Sequence, residues 1–158
     1  MDKNQAIIDF LLTCPTILSN PLFFNFANAK DKSKQIVIGA VDNSINENYV
    51  DGSVRRRYLF TIIDFCSVSY QALPKVAGLE TENVADLKLV QDVLDWINEQ
   101  NDLQNFPNFG EDYVIDEMKT TTDVPNLNGV DTSVTPALAK YSIGIQIDYL
   151  DMSKMLWK

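Results

Sequence analysis

Arg55, Arg56 and Arg57 stand in a row and are the only arginines in the chain. A guanidinium carries a planar fork of N–H donors that matches a carboxylate or a phosphate. Three of them just ahead of an apolar run point to contact with anions. The densest acidic cluster is Glu111, Asp112, Asp116 and Glu117. Paired carboxylates hold Ca²⁺ or Mg²⁺, or divide the work of acid and base between them. The spacing lacks the Asp-x-Asp-x-Asp-Gly order of a calcium loop. In a regular strand Asp112 and Asp116 share one face while Glu111 and Glu117 take the other, so the four do not converge. Each cluster therefore has two readings. The arginines are a solubilising strand end, or a contact that complements the acidic surface of an identical neighbour. The carboxylates are a solvated start to a strand, or the centre of a small acidic metal-dependent enzyme or binding module built on Asp112, Asp116 and Glu117.

The missing residue types weigh as much. Among 158 residues there is no histidine, the commonest side chain for proton transfer near neutral pH. The sequence has no glycine-rich phosphate loop, no serine-nucleophile elbow and no metal-spaced cysteine set. Cys14 and Cys66 lie far apart and read as reduced, semi-buried small hydrophobes. A cysteine nucleophile would have no imidazole to activate it. The expectation is a protein with no catalytic residue, cofactor or metal ligand, one that works by shape and contact. Its 22 acidic and 13 basic residues leave a net charge of −9. Sequence-independent DNA binding draws on phosphate neutralisation by Lys and Arg, so the chain as a whole repels a duplex. The same charge suits an inhibitor that imitates nucleic acid toward a basic protein, a third class beside contact protein and enzyme.

The elements that must position these groups follow from periodicity. Ile7, Phe10, Leu11 and Cys14 recur at the spacing of one helical face, predicting a helix over 2–14, capped by Asp2 and ended by Pro15. The aromatic run 21–28 and the run 35–41 read as strands, with a charged turn at 30–34 and a polar loop at 42–51. A longer strand spans 54–68, apolar on both faces, as in a central strand covered twice or buried by a neighbouring subunit. The segment 70–79 reads as a connector. Val84, Leu87, Val90, Val93, Leu94 and Ile97 form the apolar arc of a helix over 80–101, with Trp96 toward the arc's edge. A strand over 113–122 and a loop over 124–136, marked by Asn128-Gly129, come next. The strand over 138–150 alternates most cleanly. Ala139, Tyr141, Ile143, Ile145, Ile147 and Tyr149 line one face; Lys140, Ser142, Gly144, Gln146 and Asp148 line the other.

The order is α-β-β-β-α-β-β: a single α+β domain over 1–158, with a mostly antiparallel sheet of about five strands packed by two helices. At 46% hydrophobic and 22% charged residues, the composition is that of a globular chain with a real core. No apolar run approaches the roughly 20 residues of a membrane span, and the polar start Met1-Asp2-Lys3-Asn4-Gln5 is not a signal peptide. A cytoplasmic protein with no membrane partner is expected. Two further residues bear on contact. Gly144 suits the close approach of another backbone or a packing accommodation. Trp157, with Met155 and Leu156, folds back on the core or anchors another subunit.

Three stretches carry a family likeness: PLFFNFANAKDKSKQIVI (21–38) followed by DGSVRRRYLFTIIDF (51–65), VLDWINEQND (93–102), and PALAKYSIGIQIDYLD (136–151). Through them nearly the whole chain resembles the tail-terminator and tail-completion proteins of long-tailed bacteriophages, also called minor capsid or head–tail joining proteins. It is similar in form to small proteins of prophage structural gene clusters in Gram-positive gut bacteria. The resemblance implies a small α+β subunit that assembles into a ring, commonly a hexamer. Such a ring caps the tail tube at its final length and then offers the filled head a docking surface. Its partners are copies of itself, the tail tube protein and a head-completion protein, with DNA only as cargo passing an acidic lumen. Its place is the virion tail, after assembly in the bacterial cytoplasm. No catalytic residue comes with the likeness. In that setting Arg55, Arg56, Arg57, Gly144 and Trp157 are the candidate interface residues.

Overall fold

The structure, a computed structural model, describes residues 2–18, 22–24, 35–67, 82–133 and 138–156. In chain order the elements are α1 (Lys3–Leu11), α2 (Pro15–Leu18), β1 (Leu22–Phe24), β2 (Gln35–Asn48), β3 (Val54–Ser67), α3 (Glu82–Asp102), β4 (Tyr113–Thr120), β5 (Asn126–Asp131) and β6 (Leu138–Asp151). The fold is α+β. Its strands form one sheet in the order β1-β2-β3-β6-β4, with β5 also paired to β6. Every pairing is antiparallel except β1 with β2. The sheet thus has six strands, and a short second helical turn joins the two expected helices.

Asp2 caps α1 as its sequence position suggests, accepting a hydrogen bond from the Asn4 amide at 3.0 Å. The helix stops at Leu11, short of the expected end at residue 14: the Thr13 and Cys14 N–H groups bond carbonyls three residues back, on Phe10 and Leu11, and the Thr13 hydroxyl also bonds the Phe10 carbonyl at 2.6 Å. Pro15 then opens α2, where its missing N–H costs nothing at a first helical position. Two expected loops are strands. The segment 42–48 continues β2 along β3, with register shifts between Ala40 and Asp42 and between Ile45 and Glu47. Its polar composition suggested a loop, but backbone pairing with β3 satisfies the chain whatever its side chains, and the projecting hairpin leaves them in water. Residues 126–131, inside the expected loop 124–136, form β5. There Asn128-Gly129 makes a bulge, not a turn: the register shifts between Leu127 and Gly129, and Gly129 sits at φ +142°. The remainder of the expected strand 21–28, the turn 30–34, the connector 70–79 and Trp157 lie outside the described residues.

The helices cover one face of the sheet. Tyr58, Phe60 and Ile62 of β3 and Ile143, Ile145, Ile147 and Tyr149 of β6 point toward them, none more than 4% exposed. They meet Ile7 and Leu11 of α1, Val93, Leu94 and Ile97 of α3, and Met118 of β4 in one cluster. Tyr149 makes edge contacts with Phe109 and Tyr113, and Lys3 sits 3.9 Å above the Tyr113 ring. The two core tyrosines end in hydrogen bonds, Tyr58 to Asn4 and Tyr149 to Asn43. Burial pushes the Tyr149 phenol up to about 12. On the opposite face of β3, Leu59, Thr61, Ile63 and Phe65 are only half-buried. We call this side the open face.

The end of α3 is tied to the sheet. Asn105 N–H bonds the Gln100 carbonyl and Gln104 N–H bonds the Asn101 carbonyl, the paired bonds of a Schellman ending. Gln104 takes the left-handed φ of +53° that this ending requires. Gln104→Gly is expected to stabilise the protein by roughly 0.5–1 kcal/mol, since glycine reaches that conformation without the Cβ cost; urea denaturation measures it. Gly144 gives a second test. A Cβ there would overlap the Thr121 hydroxyl. Gly144→Ala should therefore destabilise by about 1 kcal/mol alone, yet become neutral or stabilising in a Thr121→Ala background. Chemical denaturation of the four proteins of that cycle gives the coupling.

Candidate functional site

The three arginines sit at the start of β3, where the strand lies opposite the end of β6. Alternation sends Arg55 and Arg57 to the open face and Arg56 to the helix face. Each meets an aspartate of its own chain. Arg57 faces Asp148 directly across the β3–β6 ladder and grips it with two bonds, Nε to Oδ1 at 2.9 Å and Nη2 to Oδ2 at 3.1 Å. Arg56 reaches Asp151 at 3.0 Å, and Arg55 reaches Asp116 of β4 at 3.2 Å. Asp148 is almost buried, and Gln146 donates a third hydrogen bond to it at 2.9 Å. Burial alone would raise the Asp148 carboxyl. The bonds and charge of Arg57, with help from Gln146 and Lys119, outweigh it and hold the group below the usual carboxylate range. Arg57 is raised in turn, chiefly by its bond to Asp148.

A second device recurs at the strand ends. Asp51-Gly52-Ser53 precedes β3, Asp131-Thr132-Ser133 closes β5, and Asp151-Met152-Ser153 closes β6. In each, the aspartate accepts from both the amide and the hydroxyl of the serine two residues on, at 2.6–3.0 Å. Those serine bonds lower the carboxyls of Asp51 and Asp131. For Asp151, burial pushes up, but Ser153 and then Arg56 win and the net shift is downward. The chain tail is anchored here too, because Leu156 N–H bonds the Asp51 carbonyl at 2.8 Å. A Cβ on Gly52 would stand 2.5 Å from the Lys154 carbonyl oxygen, which ties that position to glycine together with its φ of +88°.

Beside this belt lies a shallow cleft of about 330 Å³ lined by Tyr49, Asp51, Ser53, Arg55, Asp116 and Leu150. Tyr49 donates to Glu47 at 2.6 Å, and that bond raises its phenol. Arg55 is raised first by its bond with Tyr49 and next by the charge of Asp116. The cleft wall is therefore an ion-pair network with both signs present.

The acidic cluster does not gather. Asp116 turns to Arg55, while Glu117 pairs with Lys119 on its own strand at 2.8 Å. A register shift between Ile115 and Glu117 breaks the even alternation expected for 111–117. Among the described residues no group of three or more His, Cys, Asp or Glu is placed to hold a metal ion. Gly144 is approached by Thr121 of the same chain, whose amide bonds the Gly144 carbonyl at 2.8 Å. Sequence reasoning missed Asp148 and Asp151 as arginine partners. Nothing local marks Asp148, and the Asp-x-Ser pattern that holds Asp151 occurs five times in the sequence, so it does not single that residue out. No family model matches the chain, and no curated protein matches it in sequence.

Removing Arg57 leaves a nearly buried carboxylate without its main partner. Arg57→Met should cost about 2 kcal/mol. Arg57→Met with Asp148→Asn should cost less than the sum of the two single changes, as a double-mutant cycle in urea will read. The pH dependence has a definite sign. Asp51, Asp131, Asp148 and Asp151 have lowered values in the fold, so their contribution is full above the unfolded carboxylate value of about 3.9. It is lost as pH falls through that value and below it. A pH series of thermal melts should therefore decline in this acid window, and less steeply for the double variant.

Proposed function

We propose that the chain is a structural protein of a bacteriophage or prophage tail, a ring-forming subunit that caps the tail tube and joins tail to head. The observation that carries this reading is the fate of the reactive-looking groups. Arg55, Arg56 and Arg57 are paired with Asp116, Asp151 and Asp148 of the same chain, and Glu117 with Lys119, so these groups brace the sheet rather than surround a substrate. A protein so built acts through its surfaces. The one-sided sheet supplies such a surface, with helices behind and a half-exposed open face in front.

In this reading the ring is a homo-oligomer, a hexamer by resemblance, placed in the virion tail after assembly in the host cytoplasm. It contacts the tail tube protein and a head-completion protein, and DNA passes as cargo. The net charge of −9 favours a lumen that does not trap phosphate. The three arginines are each engaged with an aspartate of their own chain, and Arg55 and Arg57 remain partly exposed at the candidate interface. No observation favours the metal-dependent alternative, because Asp116 and Glu117 each hold a cation already.

Electron microscopy of the purified protein mixed with tail tubes tests the proposal. Closed rings at tube ends are the expected outcome. A protein that stays monomeric by native mass spectrometry and never decorates tubes overturns it.

A further inference from the structure

The two strands on the outer side of β6 are treated differently. β4 pairs with β6 through residues 145–151 of that strand, and β5 pairs through residues 138–142. Along β4, α3 closes the edge. The Asn101 side chain accepts the Met118 N–H at 2.8 Å, and Asn98 meets the Thr120 hydroxyl at 3.3 Å. This is a covered edge, one of the ways proteins prevent unwanted strand pairing. No described residue covers β5 in this way. Among the described residues it pairs with β6 alone, and Asn126, Leu127, Asn128 and Val130 are exposed. In an antiparallel ladder every second residue of an edge strand turns its N–H and C=O outward.

The side chains of β5 say what fits there. Leu127 lies opposite Tyr141 and Val130 opposite Ala139, so both share the helix face of the sheet. They are 57% and 41% exposed, and Val124 just before them is 61% exposed. The other face of the strand carries Asn126, Gly129 and Asp131. No lysine or arginine occurs between Lys119 and Lys140 in sequence, whereas Asp123 and Asp131 flank the strand. Lysines on an edge are a common guard against pairing, and here they are missing. Lys140 is on the paired strand, with its ammonium 5.6 Å from the Phe65 ring.

We propose that β5 is a docking edge for an extended, basic segment of another protein, which adds to the sheet as a further strand. Such a segment alternates apolar residues, which cover Leu127 and Val130, with lysines or arginines on the side of Asp131. A second copy pairing through its own β5 is the poorer occupant of this edge, because that strand brings no lysine or arginine to meet Asp123 and Asp131. Main-chain bonds give this mode its affinity, and alternate side chains give it selectivity. The inference stands apart from the tail reading, since it holds for any basic partner strand.

The probe is a short, end-blocked peptide of alternating valine and lysine. Three controls accompany it: a valine–glutamate version, the same valine–lysine peptide methylated on alternate amide nitrogens, and the Leu127→Lys/Val130→Lys variant. Amide hydrogen exchange by NMR should show new protection within residues 126–131 and none along β4. Affinity should fall by about tenfold or more with each control. Unchanged circular dichroism of the variant shows that the change at these exposed positions acts on docking. Equal binding of the lysine and glutamate peptides, indifference to N-methylation, or protection mapping elsewhere overturns the proposal. So does concentration-dependent protection of 126–131 without peptide, which assigns the edge to a second copy.

Discussion

Fourteen consecutive residues of β3 pair with fourteen of β6, from Val54 opposite Asp151 to Ser67 opposite Leu138, without a single register shift. Every other feature hangs on that ladder. Because side chains alternate with period two, a slip of one residue would turn Ile143, Ile145, Ile147 and Tyr149 out of the core together. Burying those four side chains is worth on the order of 1.5–3 kcal/mol each, so the register is strongly held. The same register brings Arg57 opposite Asp148 and places Arg56 beside Asp151. Core and charge thus specify one alignment independently, and an error in either would disturb both.

Strong periodicity made part of this legible in the sequence. β6 and α3 were readable to within a few residues because an unbroken apolar pattern leaves one choice of period. The α+β class followed from the grouping of strands. What escaped was structure imposed by a partner strand. The polar residues of the outer half of β2 and the Asn128-Gly129 pair in β5 have the local preferences of loops and turns. Pairing with β3 and β6 overrides those preferences, and bulges absorb the misfit. The arginine row was visible as chemistry, but not its purpose, because Asp148 and Asp151 lie more than 90 positions away in sequence. Gly144 was likewise visible as a close-approach position, while the approaching group, Thr121, belongs to the same chain.

The sheet also shows where strand ends are secured and where they are not. Asp-x-Ser turns fasten the ends of β3, β5 and β6 by satisfying amides that would otherwise point into solvent. α3 seals β4 through Asn101 and Asn98, and its own ending requires a left-handed Gln104 to bring Asn101 into place. Strain at one residue therefore supports closure of one edge. The adjacent edge carries exposed Leu127 and Val130, with no corresponding seal among the described residues.

Charge follows the same division. The chain contains 13 cations, of which three are arginines, and all three arginines serve the internal register. Lys119 is engaged with Glu117 as well. Pairing these aspartates within the chain while the net charge stays at −9 has a physical consequence. The surface field stays negative, although the ladder that holds the sheet is itself charge-balanced. A partner approaching this protein meets that outer field first and the apolar strip second. Long-range attraction can then select basic surfaces before short-range packing selects among them. For the contact role proposed above, keeping the paired charges of the ladder apart from the net charge lets the fold and the choice of partner vary independently.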